Sequence, residues 1–233
     1  KWGDLEAANK AMDDAEKGLS RIPQHQVSDR LKSTISRARA QLLDTMGRRR
    51  EAETAHREAI SLLEPHKDIG IPGQSPKSGP RMYQNYVAGL AGNLRSQGRL
   101  VEAEIEARKA LTGALKSHGR YSPHTGGILG VLSGVILDQG RFTEGEALAR
   151  ARLDILHRSG TPQDSPRYAG ARAGLAGALL LQRRWQEALR EFDRIKGDME
   201  EDQESHYQTF IASKPDLWRS LVMEGRGSEA LPL

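Results

Sequence analysis

The chain contains no cysteine in its 233 residues, which excludes disulfide staples, zinc knuckles and thiol nucleophiles and leaves the fold to stand on packing alone. Long apolar runs are missing too: every one is short and broken by charge, and none approaches the ~20 residues needed to cross a bilayer. The first residues lack the apolar core of a secretory signal, so a cytoplasmic protein is the expectation. Aromatic residues supply only 5% of the chain, against 37% hydrophobic and 28% charged. That balance describes a thin, distributed core. An excess of one charge is also lacking, because 31 acidic residues are interspersed with 35 basic ones and dilute any single-sign field.

Catalytic signatures are equally scarce. Seven histidines (His25, His56, His66, His118, His124, His157, His206) are scattered, with no i, i+4 histidine pair and no His-Glu-x-x-His, so neither a metal nor another cofactor is expected. The Gly-rich run from Gly126 to Gly134 resembles a phosphate loop only superficially: no Gly-Lys-Ser/Thr ends it, no strand precedes it, and its periodicity places it inside a helix. No Gly-x-Ser-x-Gly occurs, and no catalytic residue is assigned. The basic cluster Arg48-Arg49-Arg50 with Arg57 sits beside Glu51, Glu53 and Glu58 and has no interleaved aromatics. Nucleic acid is therefore not an expected partner.

What is present is a repeat. A Gly, usually followed by Arg, then two variable residues, Glu and a small residue recur as Gly47-Arg48-Arg49-Arg50-Glu51-Ala52, Gly98-Arg99-Leu100-Val101-Glu102-Ala103 and Gly140-Arg141-Phe142-Thr143-Glu144-Gly145. Arg183 takes the Gly slot in Arg183-Arg184-Trp185-Gln186-Glu187-Ala188; further copies are Gly225-Arg226-Gly227-Ser228-Glu229-Ala230 and, more loosely, Gly3-Asp4-Leu5-Glu6-Ala7-Ala8. The anchors at 3, 47, 98, 140, 183 and 225 are spaced by 44, 51, 42, 43 and 42 residues. Each lies between segments of helical periodicity, such as Val87, Leu90, Ala91 and Leu94 before Gly98 and Ala103, Ala107, Ala110 and Leu111 after it. A glycine there accepts the left-handed conformation that closes a helix, so each anchor predicts a hairpin corner. Small residues seven before the anchor (Ala40, Ala91, Ser133, Ala176) and five after it (Ala8, Ala52, Ala103, Gly145, Ala188, Ala230) mark where two helices cross closely. Gly79-Pro80, Ser122-Pro123 and Ser165-Pro166 mark first-helix starts.

These features resemble the tetratricopeptide repeat (TPR) family, whose usual period is ~34 residues. The longer period here is similar to the lengthened repeats of kinesin light chains and of bacterial proteins that join such repeats to caspase-like CHAT peptidase domains. HEAT and armadillo repeats have comparable periods but do not explain the Gly-Arg-x-x-Glu-Ala corner. The fold expected is all-α, a TPR-like superhelical solenoid of antiparallel helix hairpins over residues 1–233. It comprises a helix remnant at 4–20, repeats at about 29–64, 80–118, 122–159 and 164–197, and a truncated repeat at 205–233. Both ends look cut, so a fragment of a longer protein is expected. Residues 65–79, rich in Gly, Pro and Ser, read as a surface loop, and the acidic cluster 198–204 as a solvated linker.

The resemblance implies that first helices line a concave groove where a protein or peptide, or another domain of the same chain, would lie. The inward positions it implies are Arg37, Gln41 and Asp44; Asn85, Ala88, Gly92 and Arg95; Gly127, Gly130, Gly134 and Asp138; and Gly170, Ala173, Gly177 and Leu181. The clamp for a C-terminal carboxylate used in the family is only partly supplied, by Asn85, Arg37 and Arg95. Gly92, Gly134 and Gly177 are equivalent, and glycine within an exposed helix costs up to ~1 kcal/mol relative to alanine. Either neighbouring first helices pack tightly there or a partner comes close. The function implied is a protein-interaction scaffold; the alternatives are the regulatory repeat region of a CHAT-type effector and a small-molecule sensor array.

Overall fold

The computed structural model describes residues 2–21, 28–70 and 75–198. Among the described residues there are nine α-helices, one 3-10 turn and no strand. The chain divides into two compact units, Lys1–Gly119 and Arg120–Leu233. The first holds α1 (Trp2–Ser20), α2 (Asp29–Thr45), α3 (Arg49–Leu63), the 3-10 turn Glu64–His66, α4 (Ser78–Ser96) and α5 (Leu100–His118). The second holds α6 (Pro123–Asp138), α7 (Phe142–Arg158), α8 (Pro166–Leu181) and α9 (Trp185–Asp198). In the first unit α2 pairs with α3 and α4 with α5, α3 packs on α4, and α1 rests on α2. In the second, α6 pairs with α7 and α8 with α9, α7 packs on α8, and α6 also touches α8 directly. This is the all-α, TPR-like helical-repeat fold.

Every hairpin turns in the same way. Gly47, Gly98 and Gly140 have φ of 75°, 77° and 78°, a region open to glycine without steric cost. At each corner the next residue's amide reaches back to the carbonyl that closes the helix: Arg48 to Leu43 at 2.9 Å, Arg99 to Leu94 at 3.0 Å, Arg141 to Ile136 at 3.2 Å. This Schellman arrangement satisfies carbonyls that a helix end would otherwise leave open. Arg183, in the Gly slot of the α8–α9 corner, is forced into the same conformation at φ 60°, and Arg184 donates to Leu179 O at 3.0 Å.

The arginine after each corner then binds the glutamate three residues on, as in Arg48–Glu51, Arg99–Glu102, Arg141–Glu144 and Arg184–Glu187. The helix start has no side-chain cap at Arg48, Arg99 or Arg141, and a carboxylate in the first turn complements its dipole. Exposed pairs of this kind contribute under about 1 kcal/mol, so their effect is to fix the geometry of the turn.

The crossing points are small and buried. Ala40, Ala91 and Ala176 before the corners and Ala52, Ala103 and Ala188 after them are all 0% exposed. In the α6–α7 hairpin Ser133 replaces the alanine and donates its hydroxyl to Gly145 O at 2.8 Å. A Cβ at Gly145 would collide with the Leu137 side chain. Around these points lie larger apolar groups, such as Leu175, Leu179, Leu189, Phe192 and Ile195 in the second unit.

Two expectations are corrected. Gly3 falls within α1 and makes no corner, and Ala8 is exposed. The 65–79 segment lies at the surface over 65–70 and 75–77, but its last two residues belong to α4, and Gly79 is buried so close to the carbonyls of His66 and Ile69 that no side chain fits. Ser28, Ser122 and Ser165 cap α2, α6 and α8 through their hydroxyls. The copy at Gly225, Ala230, the repeat at 205–233, His25, His206 and most of the acidic cluster lie outside the described residues.

A left-handed non-glycine residue costs roughly 1–2 kcal/mol. Arg183→Gly should therefore raise unfolding free energy by about 1 kcal/mol, and Gly98→Ala should lower it by about as much, both read from urea titrations of the whole chain. An unchanged midpoint for both would show that the corners are not strained.

Candidate partner-binding face

In the first unit the face formed by α2 and α4 carries Gln41, Asn85, Gly92 and Arg95 exposed. Arg37 and Asp44, expected there as free groove residues, are half-buried and committed within the protein. Arg37 donates from Nη1 to Asn85 O at 3.2 Å and lies over the Tyr86 ring at 4.8 Å, tying α2 to α4. Asp44 accepts from His56 Nε2 at 2.9 Å and from Asn93 Nδ2 at 2.6 Å. Ala88 shares the helical stripe of Asn85, Gly92 and Arg95 but is 6% exposed and offers nothing to a ligand.

Behind this face lies a polar chain. Asn93 Nδ2 also donates to Arg49 O at 2.9 Å, Gln97 Nε2 donates to Asn93 Oδ1 at 2.7 Å and to Glu53 Oε2 at 3.0 Å, and Arg99 Nη1 donates to Glu53 Oε2 at 2.5 Å. Glu53 thus joins the α2–α3 hairpin to the α4–α5 corner. The second unit repeats the device: Glu146 Oε2 accepts from Gln182 Nε2 at 2.7 Å and from Arg184 Nη1 at 2.8 Å, while Arg150 holds Oε1 at 2.6 Å. Burial raises the Glu146 carboxyl, but the bonds from Gln182, Arg150 and Arg184 outweigh it and hold the group below the ordinary glutamate range.

In the second unit α6 and α8 present Gly127, Asp138 and Leu181 exposed, and Gly130, Gly134, Gly170, Ala173 and Gly177 half-buried. The glycines do different things. A Cβ at Gly92, Gly127 or Gly177 would meet open space, so internal packing does not require glycine there. A Cβ at Gly130 would instead stand 2.7 Å from Nη1 and 3.1 Å from Cζ of Arg152. This arginine comes from α7, and sequence reasoning missed it. It stands twelve residues after its corner, where the other second helices carry Ala59, Ala110 and Ile195, which are 0%, 2% and 1% exposed. A charged residue in that apolar register was the signal available.

No group of three or more metal-ligating side chains occurs among the described residues, and no described helix is long and apolar enough to cross a membrane. The Gly126–Gly134 run lies inside α6.

No protein-family model matches the chain, and neither does any curated protein. Solved structures do. The crystal structure of BtubC (BKLC) from P. vanneervenii aligns with a TM-score of 0.66 at 19% identity, covering 98% of this chain and 85% of that one. The crystal structure of a Rap protein complexed with competence and sporulation factor aligns at 0.67 and 14% identity, covering 96% of this chain and 60% of the Rap chain. Likeness at this level of identity establishes a shared fold, that of TPR-like helical repeats.

His56 generates a pH prediction. The ring is 2% exposed, and burial pushes its pKa below the ordinary 6.5, partly offset by Asp44. Neutral His56 donates from Nε2 to Asp44, leaving Nδ1 buried as an unpartnered acceptor. The unfolded chain binds the proton more readily, so stability from this group is present above about pH 6.5 and falls as pH drops below it. Urea midpoints measured between pH 7.5 and 5 should decline more steeply in the unchanged protein than in His56→Gln; parallel profiles would remove His56 from the explanation.

Proposed function

We propose that the chain is a protein-interaction scaffold that receives a peptide or protein segment along the first-helix faces, α2 with α4 in the first unit and α6 with α8 in the second. The observation that carries this reading is the open space over Gly92 and Gly177. Helix interiors disfavour glycine by up to ~1 kcal/mol, and here no described side chain occupies the room that glycine leaves. A smooth wall of backbone admits the close approach of another chain, whose main-chain groups and side chains then decide affinity.

The fold agrees with the reading, since one structural neighbour is a Rap protein complexed with competence and sporulation factor. The lengthened hairpins, with helices of up to 19 residues, keep the resemblance to kinesin light chain and CHAT-linked repeats as part of the proposal. No observation favours the effector-regulating or small-molecule-sensing alternatives.

Gly92→Ala and Gly177→Ala should each stabilise the chain by about 0.5–1 kcal/mol, because the added methyl gains helix propensity and meets nothing. Gly134→Leu with Gly177→Leu should leave the circular-dichroism spectrum helical and lower the affinity for peptides selected from a defined synthetic library by about tenfold or more. If the leucine variant binds the selected peptides as the unchanged chain does, the first-helix face is not the binding surface.

A further inference from the structure

The second unit contains a cation, Arg152, with which no described carboxylate pairs. The Arg152 stem runs from α7 past Gly126, whose Cβ position is 3.9 Å from Cγ, and Gly130, whose Cβ position is 3.2 Å from Cδ. Its guanidinium reaches α8, where Nη1 donates to Gly170 O at 3.3 Å and Nη2 lies 3.7 Å from the Cβ position of Gly170. Gly174, exposed on the same helix, is 3.9 Å from Nη1 by the same measure. The absence of a Cβ at Gly130 therefore leaves the room through which the side chain passes from the second-helix layer toward α8, while at Gly126, Gly170 and Gly174 a Cβ would meet it only at ordinary contact distance.

Several described carboxylates of the second unit are engaged by other arginines. Glu144 pairs with Arg141, Glu146 with Arg150 and Arg184, Asp154 with Arg158, and Glu191 with Arg172 and Arg194. No described acidic group pairs with Arg152. Nε is buried with no hydrogen-bond partner, and burial alone depresses the guanidinium's affinity for its proton. Such a cation is destabilising, yet apolar residues occupy this register in the other hairpins, so the fold does not require it. A planar fork of donors is the group best matched to a carboxylate.

We infer that Arg152 is a ligand-binding residue, passing Gly130 of α6 to reach the Gly170 carbonyl of α8, that takes a carboxylate of the bound peptide, either an Asp or Glu side chain or the C-terminus. This assignment rests on the scaffold reading above and names the chemistry recognised on the second unit.

The test uses the whole chain. Arginine Nε–H resonances in 15N–1H spectra are followed during titration with sodium acetate and, separately, inorganic phosphate, the Arg152 signal being identified by its loss in Arg152→Lys. Binding of a defined synthetic peptide library, with free or amidated C-termini, is measured for the unchanged chain and for Arg152→Met, which restores an apolar residue to the register. Expected are a saturable acetate response at Arg152 absent from Arg150 and Arg158, selection of peptides bearing a carboxylate, and a loss of affinity of about tenfold or more in Arg152→Met with an equal or higher melting temperature. Loss of selection on amidation assigns the C-terminus, whereas its persistence assigns a side chain. The inference is overturned if acetate moves Arg152 no more than Arg150 and Arg158, if only phosphate saturates it, or if Arg152→Met holds the selected peptides as well as the unchanged chain. Should no library peptide bind either protein while acetate still saturates Arg152, the anion site stands and the scaffold reading falls.

Discussion

A helix that ends must dispose of carbonyls it can no longer satisfy, and in this molecule the solution chosen at each corner governs everything built on it. A single left-handed residue lets the next amide fold back onto the closing carbonyl, as Arg99 does onto Leu94, and the chain leaves in the opposite direction after one further residue. So abrupt a reversal brings the two helices together within a turn or two of the corner. Only alanine, serine or glycine fits there, which is why Ala91 and Ala103 vanish from solvent altogether. The corner conformation thus sets the crossing distance, and the crossing distance sets which side chains can form the apolar seam on either side.

Adjacent hairpins are joined by a second kind of contact, in which polarity matters as much as burial. Glu53 and Glu146 each receive a glutamine and an arginine from the following hairpin. Asymmetry makes these links specific: an apolar seam can slide, whereas a carboxylate with both oxygens occupied accepts its donors in one register. The glycine-rich helices α6 and α8 go a different way. Their bare surfaces bring them into direct touch, and the slot that remains is filled from behind by Arg152.

The corners were legible in the sequence because three independent requirements coincide there: a residue tolerant of positive φ, an arginine and glutamate at the spacing of one helical turn, and small residues at the crossing. Even Arg183, which breaks the first requirement, was located by the other two. The faces of the helices were less legible. Asp44 and Arg37 sit at positions that look outward by family analogy, but their long polar side chains turn to His56, Asn93, Asn85 and Tyr86. Such partners lie on other helices, some 12 to 49 residues away in sequence, and no local pattern announces them. Ala88 shows the companion error: it shares the helical stripe of the exposed Asn85, Gly92 and Arg95, yet it is covered, and periodicity along one helix does not record what packs over it. Arg152 did leave a trace, as a charge in an apolar register, but its meaning depends on the room at Gly130 and the carbonyl of Gly170, contributed by two other helices.

The clasp between hairpins has a consequence for how such a chain can lengthen. Glu53 lies six residues after its corner, and the glutamine and arginine that grip it lie one residue to either side of the next; Glu146 stands in the same relation to Gln182 and Arg184. A segment that combines both parts, as Gln139, Arg141 and Glu146 do about the Gly140 corner, carries a carboxylate for a successor and a matching pair of donors for a predecessor. Duplicating it creates complementary joints at both new boundaries without altering a residue. Inserting a few residues between corner and carboxylate would swing the acid to another side of its helix, so growth by whole periods is built into the chemistry of the joint.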